Sequence, residues 1–568
     1  MKNILNVVRR FPTGVFVVGL LFGTGGDLLI VRAPGDELQN LPQPPKVFLD
    51  TTYSPPKGET IIVGAQPAVP PGKNHPKSPN KFQLALEKVQ LGDTIVLEAG
   101  ASYIGPFTLP NKKGGAGWIY IVSSEYAKLP PPGKRVHPED VANMPTIIGG
   151  IRNDPAIITT NGSHHYRFCG VEFRAEKAYL SNLIRLGGYN DRTLDALPHD
   201  LTFDRCYIHG DPGAGCNRGI AMNGASIAVI DSYVSDFKME GMDAQALWCS
   251  NGTGPFKIVN NYLEGSTENV MFGGASPKIA NLIPSDIEIR HNYFFKRLDW
   301  MAGTTQNAGL NSHWCVKNLF EIKNAQRVLL EGNIFENCWG DAQDGFAMNL
   351  KPCDQDFTGP WTSCKDLTIR LNIFKNVGGG IKMKGIEGGK GAPTQRAERI
   401  LIENNVFNVV GLAMRAAGIM FRTQSSPFDV TIRHNTGLNS GTTLMDMDFE
   451  AEVVGGSVKA ERFTFINNLV SHASNGVKGT GSNSGTVSLN KYFNDWTFAA
   501  NVLIGGQAKF YPPHNYFPLK IQNVGFADYE KENYKLTSSY QNAGTDGKDI
   551  GADIDAVTKA TAGVLTGR

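Results

Sequence analysis

The chain has 568 residues, 64 of them glycine, with 19% charged residues and a formal net charge of +2. That near-balance excludes nucleic acid or an acidic membrane surface as the expected partner. Branched apolar residues and asparagine are frequent and long amphipathic helical patterns are nearly absent. The expectation is an all-β chain, as several domains or as one extended repeat.

Residues 1–35 read as a signal peptide or leader, with a basic start before apolar runs at Val15–Phe22 and Leu28–Val31. Asp27 interrupts the apolar stretch, and no small-x-small cleavage site follows. The expected location is secreted or periplasmic. Residues 36–58 are Pro-rich and read as a linker. No later segment has the roughly 18 apolar residues of a membrane span. The cysteines number eight, which suits disulfides outside the cytoplasm, and Cys353 and Cys364 bracket a short loop that one would close. There is no Cys-x-x-Cys and no histidine-cluster spacing, so no zinc site is expected.

Lys81 to Gln90 forms a short amphipathic helix ahead of a strand at Gly92–Leu97. A helix there would cover the open end of an apolar column. Further on, one pattern recurs: a short apolar strand, Asn, any residue, then an apolar residue. Its Asn slots are Asn261, Asn292, Asn333, Asn372, Asn405, Asn435, Asn468 and Asn501, preceded by Cys206 and Ser232. Successive slots lie 26, 29, 31, 41, 39, 33, 30, 33 and 33 residues apart. A fixed motif with a varying gap implies identical units carrying loops of different length on one side. An asparagine at each bend can hydrogen-bond to backbone and to the asparagine of the next coil, satisfying polar groups inside a turn. The expected fold is a right-handed parallel β-helix over 59–505, its coils about 4.8 Å apart. A leucine-rich repeat is excluded by the missing Leu-x-x-Leu-x-Leu pattern. Residues 506–568 lose the motif and read as a polar closing segment.

The coils, the helix followed by "GDTIVLEAG" (Gly92–Gly100) and the closing "GKDIGAD" (Gly547–Asp553) resemble the pectin-lyase-like β-helix superfamily. More narrowly, "YIHGD" (Tyr207–Asp211), "NNYLEGSTENVMFGG" (Asn260–Gly274) and "PSDIEIRHNYFFK" (Pro284–Lys296) resemble a group of secreted bacterial β-helix proteins of unsettled activity. The resemblance covers nearly everything from about residue 59 onward. It implies the fold and leaves the chemistry open among polysaccharide lyases, hydrolases, epimerases and non-catalytic adhesins or tailspikes.

Residues at equal offsets from the Asn slots should stack, which selects the candidate site. Glu240 and Asp341 fall eight residues past their slots, Asp243 and Asp344 eleven, Glu264 three and Glu268 seven. Lys382, Arg415 and Lys478 fall ten past theirs, with Lys384 close by. The leading reading is a lyase on an acidic polysaccharide; lyases of the superfamily it resembles use carboxylates to hold Ca²⁺, and the candidates here are Asp243, Glu264, Glu268, Asp341 and Asp344. Its base would be a cation, Lys382 first, then Lys384 or Arg415, since lysine loses its proton more readily than arginine. The glycines of "GGGIKMKG" (Gly378–Gly385) would let sugar approach the backbone. His209 and Arg218 bracket a Gly-rich loop, Gln245 follows Asp243, and Trp339 offers a ring for stacking on sugar. Each of these also has an ordinary structural role, the acids and lysines as solvated strand ends and Trp339 as packing beneath a loop. "LPHD" (Leu197–Asp200) is similar to an alginate-epimerase string but lacks its first Asp, and is set aside. A hydrolase using Asp243/Glu268 or Asp341/Asp344 as an acid–base pair is the alternative enzyme. A carbohydrate-binding adhesin is the non-catalytic one.

Overall fold

The computed structural model describes residues 41–65, 80–150, 154–176, 180–303, 313–387, 393–449 and 458–567. The candidate leader, 1–35, lies outside them. Among the described residues the chain winds through three long parallel sheets of 14, 13 and 12 strands. This is the right-handed parallel β-helix. A typical coil runs from Phe256–Val259 in the 14-stranded sheet through the Asn261 corner to Tyr262–Gly265 in the 13-stranded sheet. It then passes to Glu268–Phe272 in the 12-stranded sheet and loops back to Ser285–Arg290.

The corner between the first two strands explains the repeat. The residue before each slot is left-handed, with φ of 57° at Asn260, 57° at Leu371 and 51° at Ala500. Such a conformation costs about 1–2 kcal/mol for a residue with a side chain, so the corner needs support. The slot asparagines supply it. Asn372 Oδ1 accepts from both the backbone N–H and the Nδ2 of Asn333, at 2.9 Å each. Asn372 Nδ2 in turn donates to Asn405 Oδ1 at 3.0 Å and to the Leu330 carbonyl at 3.0 Å. The same four-way pattern continues from Asn261 to Asn501 and ends on Asn515. Ser232 and Cys206 extend it backwards, the Cys206 N–H donating to Ser232 Oγ. Inside the coils, in-register phenylalanines stack: Phe294, Phe335, Phe374 and Phe407 have successive ring centroids 4.4, 4.9 and 4.4 Å apart.

The helix Lys81–Lys88 is capped by Asn80 and seats Phe82, Ala85 and Leu86 on the first coil. A second short helix, Thr486–Tyr492, packs Leu489 and Tyr492 on the last ones. All eight cysteines are free thiols, so neither the expected Cys353–Cys364 bridge nor any other disulfide forms. Cys206 occupies a slot, and Cys216, Cys249, Cys338 and Cys364 fill the apolar column as small hydrophobes. No helix among the described residues is long and apolar enough to cross a membrane.

The segments flanking the coils run back along them. Residues 41–58, part of the expected linker, cross the outer face of the 14-stranded sheet. The Gln43 N–H donates to Asp366 at 3.0 Å and that of Lys46 to Asp286 at 2.7 Å. Lys257 Nζ reaches the Leu49 carbonyl, and Arg167 those of Thr51 and Thr52. A proline-rich stretch has few ladder bonds of its own to make, so outward side chains of the sheet satisfy it. The C-terminal segment follows the asparagine corner in the same direction: Thr545 N–H to Asn467, Asp553 N–H to Asn404, His291 Nε2 to the Ala562 carbonyl, and Arg135 N–H to the Gly567 carbonyl.

Removing one carboxamide orphans buried groups on two neighbouring coils, at about 1–3 kcal/mol each. Asn372→Ala is expected to lower unfolding stability by about 3 kcal/mol or more in guanidinium titrations. Asn372→Ser should lose less, because serine already serves at 232.

Candidate functional site on the twelve-stranded sheet

Side chains alternate across a strand, so the polar residue between two core residues faces outward. In Phe320–Ile322, Phe346–Leu350, Gly379–Lys384 and Ile419–Gln424 that rule puts Glu321, Asn349, Lys382 and Arg422 on the outer face. They share one register position on four consecutive coils. Lys382 Nζ lies 3.4 Å from Asp344, which also takes Arg422 Nη1 at 2.9 Å; Arg422 Nε holds Asp446 at 2.7 Å. Burial lowers the Lys382 pKa, Asp344 opposes the shift, and the Arg422 charge reinforces it. A cleft of about 390 Å³ adjoins this group, lined by Asp341, Asp344, Gly378, Gly379, Arg415 and Arg422.

Next to the cations stands a buried acidic pair. Glu268 and Glu321 are both fully buried. Burial and the Glu268 carboxylate push the Glu321 carboxyl up to about 8. Lys323 approaches Glu321 at 3.8 Å, and Asn349 Nδ2 donates to it at 2.9 Å. Burial works against the Lys317 ammonium, yet Glu268 and Asp243 outweigh it and raise its pKa. Among the described residues, Glu268 Oε1, Glu321 Oε2 and Asn349 Oδ1 are buried without a hydrogen-bond partner. An all-oxygen set of this kind suits a hard divalent cation.

Measured against the expected site, Glu268 stays as a ligand candidate, while Asp243 is tied to Lys317, and Asp341 to His313 Nε2 and the Val316 N–H. Asp344 serves the cations instead. Glu264 belongs to the 13-stranded sheet, where it accepts from Tyr262 Oη at 2.6 Å; burial and Asp236 raise its pKa to about 7. Glu264 and Glu268 therefore do not form one site. Lys384 shares the outer face with Lys382 but is paired with Glu387 at 2.7 Å. Arg415 sits in the turn before Ile419–Gln424, left-handed at φ 52°, and Nη2 donates to the Ala302 carbonyl. Its expected position in the column is held by Arg422.

Arg218 and Gln245 are both on this sheet: Arg218 Nε donates to Gln245 Oε1 at 2.9 Å, and Gln245 Nε2 to Glu268 Oε2 at 2.8 Å. His209 is not; it lies on the 13-stranded sheet against Tyr207 and Glu172. Trp339 is buried among Trp300, Trp314 and Met414, so it offers no face to sugar. Gly380 answers to coil packing, since a Cβ there would sit 2.2 Å from the Met420 carbonyl. Lys296, pulled down to about 8 by burial, is occupied by three backbone carbonyls and Asn269 Oδ1 and supports the turn beneath Glu268.

No protein-family model and no curated protein matches this chain. Solved structures similar to it include a pectate lyase, Pel9A, at 14% identity and TM-score 0.35, covering 87% of this chain and 96% of that one. A PL6 family alginate lyase, AlyGC, is 12% identical with TM-score 0.43, over 86% of this chain and 58% of its own. The catalytic unit of a GH87 alpha-1,3-glucanase from Streptomyces thermodiastaticus is 12% identical with TM-score 0.43, over 76% and 66%. At such identities and scores the chemistry has to be read from this chain's own residues.

Glu321 stays protonated in the fold to about pH 8 and ionises near 4.5 when the chain unfolds. Its raised pKa therefore removes stability as pH climbs through that window. In chelator, Glu321→Gln is expected to gain a few degrees of Tm over the parent protein at the alkaline end and none near pH 5, read by melting across that range. Glu264 contributes a slope of the same sign in both proteins.

Proposed function

We propose that the outer face of the twelve-stranded sheet cleaves an acidic, uronate-containing polysaccharide by β-elimination. The observation that carries this reading is the column Glu321, Asn349, Lys382, Arg422, which sets an acid, an amide, an amine of lowered pKa and a guanidinium on successive coils. Elimination needs a base for the proton beside a carboxylate and positive charge to hold that carboxylate. Neutral Lys382 Nζ takes the carbon-bound proton. The electron pair becomes a carbon–carbon double bond as the glycosidic C–O bond breaks, and the departing oxygen receives a proton from water. Arg422, one coil further along and oriented by Asp344 and Asp446, binds the sugar carboxylate. Glu268, Glu321 and Asn349 would hold Ca²⁺, as their unpartnered oxygens suggest. Such an ion neutralises a substrate carboxylate and acidifies the adjacent C–H. A polymer of this kind is met outside the cytoplasm, in agreement with the leader pattern of residues 1–35.

The test is ultraviolet absorbance of acidic polysaccharides incubated with the protein, with Ca²⁺ or with chelator. A rise with one polymer marks unsaturated product, and Lys382→Ala is expected to reduce it about a hundredfold to ten-thousandfold. New reducing ends without absorbance would replace elimination by hydrolysis. Binding with neither product would make the protein a non-catalytic polysaccharide binder.

A further inference from the structure

Two histidine-containing pairs, His164-His165 and His199-Asp200, lie far apart in sequence but start neighbouring strands of the 14-stranded sheet, His164–Cys169 and His199–Asp204. His164 is in register with His199, and the pairing resumes at Tyr166 with Leu201. The residues skipped between, His165 and Asp200, are both left-handed, with φ of 59° and 53°. Adjacent side chains of a regular strand point to opposite faces, whereas an irregularity of this kind re-aims one of them. Four polar side chains are thereby gathered at the strand starts.

We propose that His165, His199 and Asp200 form a binding site for a divalent transition-metal ion of the zinc type. One donor atom from each lies within 4.8 Å of the other two. Asp200 Oδ2 is 2.6 Å from His199 Nδ1 and 3.7 Å from His165 Nδ1. Two imidazoles and one carboxylate, with water in the fourth position, make a tetrahedral N/O set for a borderline ion rather than for Ca²⁺ or Mg²⁺, which prefer oxygen alone.

The surroundings are arranged for metal binding. His164 Nε2 meets the Lys112 carbonyl at 3.0 Å, which fixes the proton on that nitrogen and leaves Nδ1 as an acceptor, 2.8 Å from His165 Nδ1. His164 thus stands beside the three ligands as a third imidazole, its ring parallel to that of His199 with centroids 4.9 Å apart. Burial depresses the His165 pKa, Asp200 opposes the shift, and His164 and His199 add to it. The side chains are about a third exposed, 33% at His165, 41% at His199 and 31% at Asp200, so an ion can enter from solvent. The sequence showed no zinc spacing because the ligands come from two coils. The site is on a different sheet from the proposed catalytic face, and an ion there would tie two coils together.

The experiment is calorimetric titration of Zn²⁺ into untagged, chelator-stripped full-length protein, with Co²⁺ absorption as a second readout. One equivalent is expected to bind, to raise Tm, and to show the visible spectrum of four-coordinate Co²⁺. His199→Ala and the isosteric Asp200→Asn should each weaken binding at least about tenfold, with circular dichroism confirming that both fold. Absence of saturable one-to-one binding, or unchanged affinity in Asp200→Asn and in a folded His165→Ala/His199→Ala double variant, would overturn the proposal.

Discussion

Everything in this molecule depends on a carboxamide accepting two hydrogen bonds from the coil before it. That arrangement, repeated from Asn292 to Asn515, lets a left-handed residue stand at the corners between the first and second strands. Once the corner is fixed, the strand positions on either side are fixed as well, and register passes from coil to coil without slippage. The column of outward residues on the twelve-stranded sheet is a product of that register. Glu321, Asn349, Lys382 and Arg422 come from strands widely separated in sequence, yet they align because the corners align.

The proposed catalytic face shows how a repeat architecture makes a local electrostatic problem and contains it. Glu321, in register with Met271, comes near Glu268 in a fully buried setting, and burial with the Glu268 carboxylate raises its pKa to about 8. Lys317 and Lys323 offset part of that cost from the edges. Two coils past Glu321, Lys382 is pushed toward its neutral form by burial, with Asp344 opposing the shift and Arg422 on the next coil adding to it. Glu321 and Lys382 are thus each shifted toward the uncharged state by burial, with a neighbour of like sign adding to it.

The coils were legible in the sequence because the asparagine requirement is local: each slot has its strands a few residues away. The site was legible only where the path from the slot to the third strand is short. Lys382 lies ten residues beyond Asn372, so counting from the slot found it. Arg422 lies seventeen beyond Asn405 and Glu321 twenty-nine beyond Asn292, because the turn before the third strand is longer there, and the same count selected Arg415 and passed over Glu321. The alternation in "FEIKN" (Phe320–Asn324), two core residues around a charge, was the available signal for Glu321. Trp339 and His209 carried no pattern that separates packing from binding, and they pack.

The route of residues 41–58 bears on how the protein is made. The Gln43 N–H finds its partner, Asp366, only 323 residues later in the chain. Arg167 comes far earlier in the chain than Asp366, so the two ends of this segment depend on different parts of the solenoid, Ser54 and Thr51 on early coils and Gln43 on a later one. The Thr52 end of this contact needs only the coil of Arg167, whereas the Gln43 end closes only once the coil of Asp366 is in place. Full docking of the earliest described residues thus requires a solenoid built as far as Asp366.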